Sequence, residues 1–359
     1  MYHNHFISIP KRMLALLLCM TLLLSLCGCQ NKKAALPQKR TMTYLEYFDT
    51  VSLIVGYEDD EEQFSKVCEG VRSVLEEYHQ LSDIYHTYDG INNVKSINDA
   101  AGESPVKVDR KLIDLLLYAK EMNENTDGLM NIAMGSVLSI WHRYRDDGIN
   151  HPEDAKLPPM EKLQAAAEHT NIEDMIIDET AGTVFLQDPD MSLDLGALAK
   201  GYAVERAAEY MESLGITGYS LNIGGNVRTL GTKPDGSDWI AGIENPDQDK
   251  KDSYIATVKL NDLALVTSGN YQRYYEVDHV RYHHIIDPNT LMPENYFNSV
   301  SILTHDSGYG DSLSTAVFNM SLEDGMEFID SLDDVEALWS LNDGNVVYTD
   351  GFEAYLLKK

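Results

Sequence analysis

The chain has 359 residues, 43% hydrophobic and 24% charged, which excludes both a small disulfide-stapled module and a disordered chain. Fifty-eight acidic side chains against 28 basic ones give a formal net charge of −30. A field of that sign repels phosphate backbones, so no nucleic-acid partner is expected, and the scattered acidic clusters read as solvated surface.

Lys11 and Arg12 precede an almost wholly apolar run from Met13 to Leu26. It falls short of the roughly 20 residues that span a bilayer and fits the apolar region of an export signal. The run ends Leu26-Cys27-Gly28-Cys29, which looks like a bacterial lipobox, where cleavage precedes a cysteine that takes up lipid such as palmitate. Cys29 is the better acceptor because Gly28 precedes it, whereas Cys27 follows the bulky Leu26. Residues 1–28 are expected to be a lipoprotein signal peptide. Residues 29–44 should be a flexible tether, with Lys32, Lys33, Lys39 and Arg40 near anionic lipid. Residues 45–359 should be one catalytic body, anchored to the extracytoplasmic face of the bacterial membrane. A plain signal peptide or an uncleaved anchor is the alternative.

Within the body, Tyr47 to Val55 is rich in β-branched and aromatic residues and predicts a strand. Phe64, Val67, Val71, Val74, Leu75, Tyr78 and Leu81 recur at helical spacing and predict an amphipathic helix over 61–85. A second helix is expected over 109–125, stopped by Thr126-Asp127-Gly128. Residues 146–159 read as a polar loop and 160–169 as a third helix. Beyond Gly182, strands are expected at 183–187, 219–223, 240–243, 255–260, 263–267, 281–286, 299–303, 337–341 and 346–349. Helices are expected at 197–214, 311–320 and 322–332. Hairpin-like neighbours mixed with separate helices imply an α+β fold, with mixed or antiparallel sheets and packed helices. Cys68, the one cysteine in the body, should sit on a helix face without redox or zinc chemistry.

No phosphate loop, dinucleotide fingerprint, nucleophile elbow or H-E-x-x-H occurs. His279 and His283 have H-x-x-x-H spacing but lie in an expected strand, where four residues apart is not one face. Four stretches carry chemistry. Ser192 to Val204 (SLDLGALAKGYAV) sets Asp194 before a helix, Gly196 and Ala197 at a close backbone approach, and Lys200 in a first turn that favours anions. An N-cap and a solvated lysine would explain it as well. Ser220 to Asn226 (SLNIGGN) is a strand running into a glycine turn. Arg281 to Pro288 (RYHHIIDP) sets two histidines before an Asp-Pro turn. Gly310 to Ala316 (GDSLSTA) opens a helix in which Asp311 and Thr315 face one point. With a backbone carbonyl they make an oxygen site of the kind Mg²⁺ takes, unless Asp311 only caps the helix.

Together, and in this order, these stretches resemble the ApbE family of FAD:protein FMN transferases, with Tyr88, Asn98 and Thr126 to Gly135 also similar to its flavin-binding segments. The resemblance covers residues 45–357 and implies an ApbE-like single catalytic domain. It implies Mg²⁺ held by the Ala197 carbonyl, Asp311 and Thr315, with FAD as substrate held by Asp194 and Lys200. Phe48, Tyr88, Leu129, Met130, Asn131 and Ile285 would line the flavin or adenine pocket. His284 would stand beside the pyrophosphate and move a proton, with Lys200 stabilising charge. The partner implied is an acceptor flavoprotein whose threonine receives FMN while AMP leaves. Three positions depart from the pattern: Asn131 stands where many relatives have Asp, Leu291 where glycine is usual, and Gly308 where some relatives have a metal-binding Asp, for which Asp306 would be the substitute. Two other functions stay open on the residues alone, a metal-dependent FAD pyrophosphatase and a non-catalytic flavin-binding lipoprotein.

Overall fold

The computed structural model describes residues 36–247 and 250–357, so the export segment and Cys29 lie outside the described residues. In chain order the elements begin with β1 (Lys39–Tyr44), β2 (Ser52–Tyr57), α1 (Glu61–Ser82), α2 (Val94–Asp99), β3 (Val106–Lys107) and α3 (Arg110–Asn125). Next come α4 (Gly135–Asn150), α5 (Met160–Ala167), β4 (Met175–Asp178), β5 (Thr183–Leu186), α6 (Ala199–Ser213), β6 (Tyr219–Ile223) and β7 (Asn226–Leu230). The hairpin of β8 (Trp239–Glu244) and β9 (Tyr254–Leu260) leads to β10 (Ala264–Gly269), and a second hairpin of β11 (Tyr274–Val277) and β12 (Val280–His283) follows. The chain closes with β13 (Phe297–Thr304), α7 (Ser307–Phe318), α8 (Leu322–Asp330), β14 (Glu336–Leu341) and β15 (Val346–Tyr348).

An eight-stranded sheet in the order β1-β2-β6-β7-β10-β13-β14-β15 is antiparallel at each ladder. The α+β expectation therefore stands. α6 packs against α1 and α7, and α7 lies on β10 and β13. The largest core forms where α1, α3 and α6 meet, filled by Val71, Leu75, Leu112, Leu116, Ala203 and Ala207. Cys68 is fully buried there on α1, and burial pushes its thiol up to about 12, which leaves it unreactive.

Four expectations are corrected. Residues 39–44 are a strand and not part of a tether: the body separates from what precedes it after Pro37. Arg40 donates from Nε to Glu58 O (2.7 Å) and from Nη2 to Asp59 O (2.9 Å), so its charge is spent on the fold. Tyr47 to Thr50 is a turn, with Phe48 and Asp49 at φ of 54° and 51°. The expected loop from 146 begins as the last turn of α4, whose buried stripe of Val137, Ile140, Trp141 and Gly148 is narrow and flanked by charges. The expected strand over 281–286 ends at His283, because the chain turns away towards Asp287.

Candidate active site

The site is built where the first turns of α6 and α7 touch. Gly201 N donates to Asp311 Oδ2 at 2.8 Å. A Cβ on Gly201 would lie 2.3 Å from Ser307 O and 2.5 Å from Asp311 Cβ, so only glycine lets the helices meet this closely. Lys200 Nζ stands 3.5 Å from Asp311 Oδ1 and donates to Asn226 Oδ1 at 3.3 Å. One turn beyond Asp311, Thr315 Oγ1 donates to Ala197 O at 3.5 Å. Thr315 thus meets the carbonyl that the resemblance singled out.

The bland explanations fail here. Asp306, not Asp311, caps α7 by accepting from Tyr309 N at 2.9 Å. Leu198 occupies the cap position of α6, and Asp194 instead accepts from Gly196 N at 2.9 Å in its own tight turn. Gly308 is buried, with Tyr202 Cα 3.2 Å from where a Cβ would sit, and Asp306 spends an oxygen on capping. Gly308 therefore offers no carboxylate to a metal, and Asp306 has one oxygen engaged in the cap. The Ala197 carbonyl, Asp311 and Thr315 form a hard-oxygen set that fits Mg²⁺. Beside them the Nδ2 of buried Asn226 has no hydrogen-bond partner, so with Lys200 it leaves donor capacity suited to a phosphate. Among the described residues, His169, Asp188 and Asp190 also bring ligand atoms within 4.8 Å of one another, but none belongs to these segments.

The nucleotide-side segments converge on the Asp194 turn. Asn98 clasps Leu193 from both sides, donating to its O at 3.0 Å and accepting from its N at 2.8 Å. Asp194 N donates to Ile132 O at 2.8 Å, and Gly135 N to Ser192 O at 3.0 Å, which joins 131–135 to 192–194. Asn131 accepts from Ala133 N at 2.8 Å and donates to Thr170 O at 3.0 Å. The second bond requires an amide, so this chain's departure from aspartate does structural work. Tyr88 is half-buried and donates to Asp83 Oδ2 at 2.7 Å; burial and Asp83 push its phenol up to about 12. Phe48 packs edge-on against His79. Leu129 lines a cavity of about 410 Å³ with Thr126, Asn289 and Asn319. Met130 and Ile285 have buried side chains in separate cores.

The two adjacent histidines divide their work. His283 donates from Nε2 to Glu294 O at 2.7 Å and accepts from Ile285 N at 3.2 Å, leaving no nitrogen for a metal. His279 lies in the β11–β12 turn at φ 65°, so the H-x-x-x-H pair is excluded. His284 keeps a buried Nδ1 with no partner. Burial, then Arg273, His283 and Arg145, pull it down to about 3, so it is a neutral imidazole. Sequence reasoning missed His142, Arg145 and Arg273. His142 Nε2 stands 4.0 Å from Asp194 Oδ2, and Tyr85 OH meets its Nδ1 at 3.2 Å. Arg145 and Arg273 act electrostatically on both His142 and His284. Only recognition of α4 would have aimed His142 and Arg145 at the site.

Burial holds His283 down at about 4, against about 6.5 in the unfolded chain. Its contribution to stability is therefore complete above pH about 6.5 and is lost as pH falls towards 4, at most about 3 kcal/mol. Urea midpoints measured from pH 7 to 4 should fall, and His283→Gln should flatten that fall. An equally steep fall in the variant would refute the assignment.

Leu291, where the resemblance expects glycine, has φ 62° and is nevertheless buried, its carbonyl accepting from Trp141 Nε1 at 3.0 Å. The backbone has kept the left-handed turn that glycine favours.

A comparison with known families matches residues 48–339 to the ApbE family. A Klebsiella pneumoniae protein named FAD:protein FMN transferase is 32% identical over 296 residues, 82% of this chain and 87% of that protein. A Treponema pallidum protein of the same name is 31% identical over 261 residues, covering 70% of this chain and 71% of its own length. Among solved structures, the ApbE protein of Thermotoga maritima superposes with a TM-score of 0.77 at 28% identity, over 89% of this chain and all of that one. The flavin transferase ApbE of Vibrio cholerae superposes with a TM-score of 0.73 at 26% identity and the same coverage. This fold is that of a flavin transferase family. The chain belongs to the ApbE family.

Proposed function

We propose that this protein transfers the FMN moiety of FAD to a threonine of an acceptor flavoprotein, releasing AMP, in a reaction that needs Mg²⁺. The observation that carries the reading is that Thr315 touches Ala197 O while Asp311, one helical turn before it, faces Lys200. The threonine oxygen forms a bond to the FMN-side phosphorus, the phosphoanhydride bond to AMP breaks, and AMP departs with the electron pair. Mg²⁺ bound by those three residues would neutralise charge on the pyrophosphate. Lys200, whose ammonium already faces Asp311 and Asn226, stabilises the phosphate charge that grows during transfer. Asp194 orients the nucleotide from a turn that Asn98 and Ile132 hold rigid.

The acceptor hydroxyl's proton goes to Nδ1 of His284, which is neutral and unpartnered. Burial is the main cause of its low value; an anion bound nearby would offset the smaller effect of Arg273 and Arg145 and raise this imidazole. His284→Ala should lower transfer by about 10²–10⁴-fold with FAD KM little changed. A loss confined to KM would remove the proton-transfer role.

The deciding assay mixes mature protein, FAD, Mg²⁺ and an acceptor domain, then reads flavin fluorescence on the acceptor in a denaturing gel. Fluorescent acceptor supports transfer. FMN and AMP without labelled acceptor indicate a pyrophosphatase, and intact FAD a carrier. The reading extends to the N-terminus: Cys29 carries the lipid anchor and holds the body outside the cytoplasmic membrane. Among the described residues no helix is long and apolar enough to span a bilayer. Cys29→Ser should release the protein from the membrane fraction and abolish labelling by radioactive palmitate.

A further inference from the structure

Glu205 on α6 and Arg228 on β7 are buried charges outside the reaction just described; their side chains are 7% and 6% exposed. Arg228 Nε lies 3.1 Å from Glu205 Oε2 and 3.3 Å from Oε1, and Nη2 lies 3.1 Å from Glu212 Oε1. Nη1 is held by Thr229 O. Glu205 Oε2 also accepts from Ser307 N, the first residue of α7, at 2.7 Å. A buried ion pair contributes little net stability, because desolvation offsets most of the attraction. Its place in the fold is the more informative feature.

Glu205 stands five residues after Lys200 on α6, and Arg228 stands two after Asn226 on β7. Ser307 precedes Asp311 by one helical turn. The two helices are consequently pinned by reciprocal bonds: α6 offers a carboxylate to Ser307 N, and α7 offers a carboxylate to Gly201 N. The second of these carboxylates is the one a cation would share. The first is removed from the reacting groups and is bonded by arginine; burial raises the Glu205 carboxyl above its ordinary value, and Arg228 opposes that rise.

We propose that the Glu205–Arg228 pair is a positioning device: it fixes the register of α7 against α6, so that Asp311 can turn from Lys200 to a divalent cation while Ala197 O and Thr315 stay in place. The inference rests on the metal site proposed above. Neither residue touches substrate or cation; the effect passes through Ser307 and the helix it begins.

The test uses the mature protein and Mn²⁺ as a paramagnetic probe, with bound ion measured by electron paramagnetic resonance and transfer titrated separately with Mg²⁺. Glu205→Gln keeps an oxygen for Ser307 N but loses the charge that holds Arg228; Arg228→Met removes the arginine. Each is expected to raise the Mn²⁺ dissociation constant about tenfold, the scale seen when groups behind a ligand are removed. The Mg²⁺ concentration for half-maximal transfer should rise in step, with FAD KM at saturating Mg²⁺ within about twofold of wild type. Asp311→Asn is the control. If it loses Mn²⁺ while folded Glu205→Gln and Arg228→Met bind as wild type does, the positioning role is overturned and the metal site survives. If Asp311→Asn binds Mn²⁺ as wild type does, the metal site falls and takes the positioning role with it. Should both charge-removing variants fail to fold, Arg228→Lys, which keeps the charge without the planar fork, decides: weakened Mn²⁺ binding supports the role and unchanged binding overturns it.

Discussion

Replacing Asp311 with alanine is expected to lower FMN transfer by about 10³-fold while leaving a folded protein, because it removes the only carboxylate in the oxygen set. The buried Asp311 side chain accepts from Gly201 N and faces the Lys200 ammonium. Its loss strands one buried amide, at about 1–3 kcal/mol. Asp311→Asn separates the two consequences, since an amide oxygen still accepts from Gly201 N but binds Mg²⁺ poorly. Both variants should therefore lose transfer to a similar extent, and the asparagine variant should be the more stable in urea. Single-turnover transfer at saturating FAD and saturating Mg²⁺ measures the rate. Wild-type transfer by a folded Asp311→Asn would show that the reacting phosphate is served elsewhere.

Gly201→Ala is the smallest change with a large expected effect. In a free helix it would gain about 1 kcal/mol from helix propensity. Here the new methyl meets backbone, 2.3 Å from Ser307 O, and cannot be accommodated by a side-chain rotation. α6 and α7 must separate, which costs about 1–3 kcal/mol as overpacking. The shift falls on the contact that brings Lys200, Ala197, Asp311 and Thr315 together. A misplacement near 1 Å is expected to cost about 100-fold in transfer. Thermal unfolding and kcat measured on one preparation give both numbers. A variant that loses stability but keeps kcat would show that the site tolerates helix separation.

Much of the site was legible because each piece is local. Asp311 and Thr315 are one helical turn apart, and Lys200 lies in the first turn of α6; both follow from 3.6-residue periodicity and nothing more. The alternating strand Tyr219–Ile223 was found at its true bounds for the same reason, and most of the other expected strands overlap the observed ones with ends shifted by one or two residues. β1 was missed because Lys39 to Tyr44 is an edge strand with few apolar residues, stabilised by pairing with β2. α4 was missed because its buried stripe is narrow and its last turns are charged.

By itself, then, the amino-acid order determined the chemistry on offer: an acid and a hydroxyl on one helix, a lysine on another, and a histidine before an Asp-Pro turn. Which of these groups meet was decided by tertiary structure alone. Thr315 reaches Ala197 across 118 residues, and Gly201 reaches Asp311 across 110. No periodicity carries over such distances; those contacts exist because burying α6 against α1 and α7 aligns the two helix starts. The same packing separated His283 from His284, neighbours in sequence. It gave one both of its hydrogen bonds in the interior and left the other a free nitrogen. It also brought Glu205 and Arg228 together, a pair that burial makes costly in isolation and that only a specific arrangement of α6, β7 and α7 can satisfy.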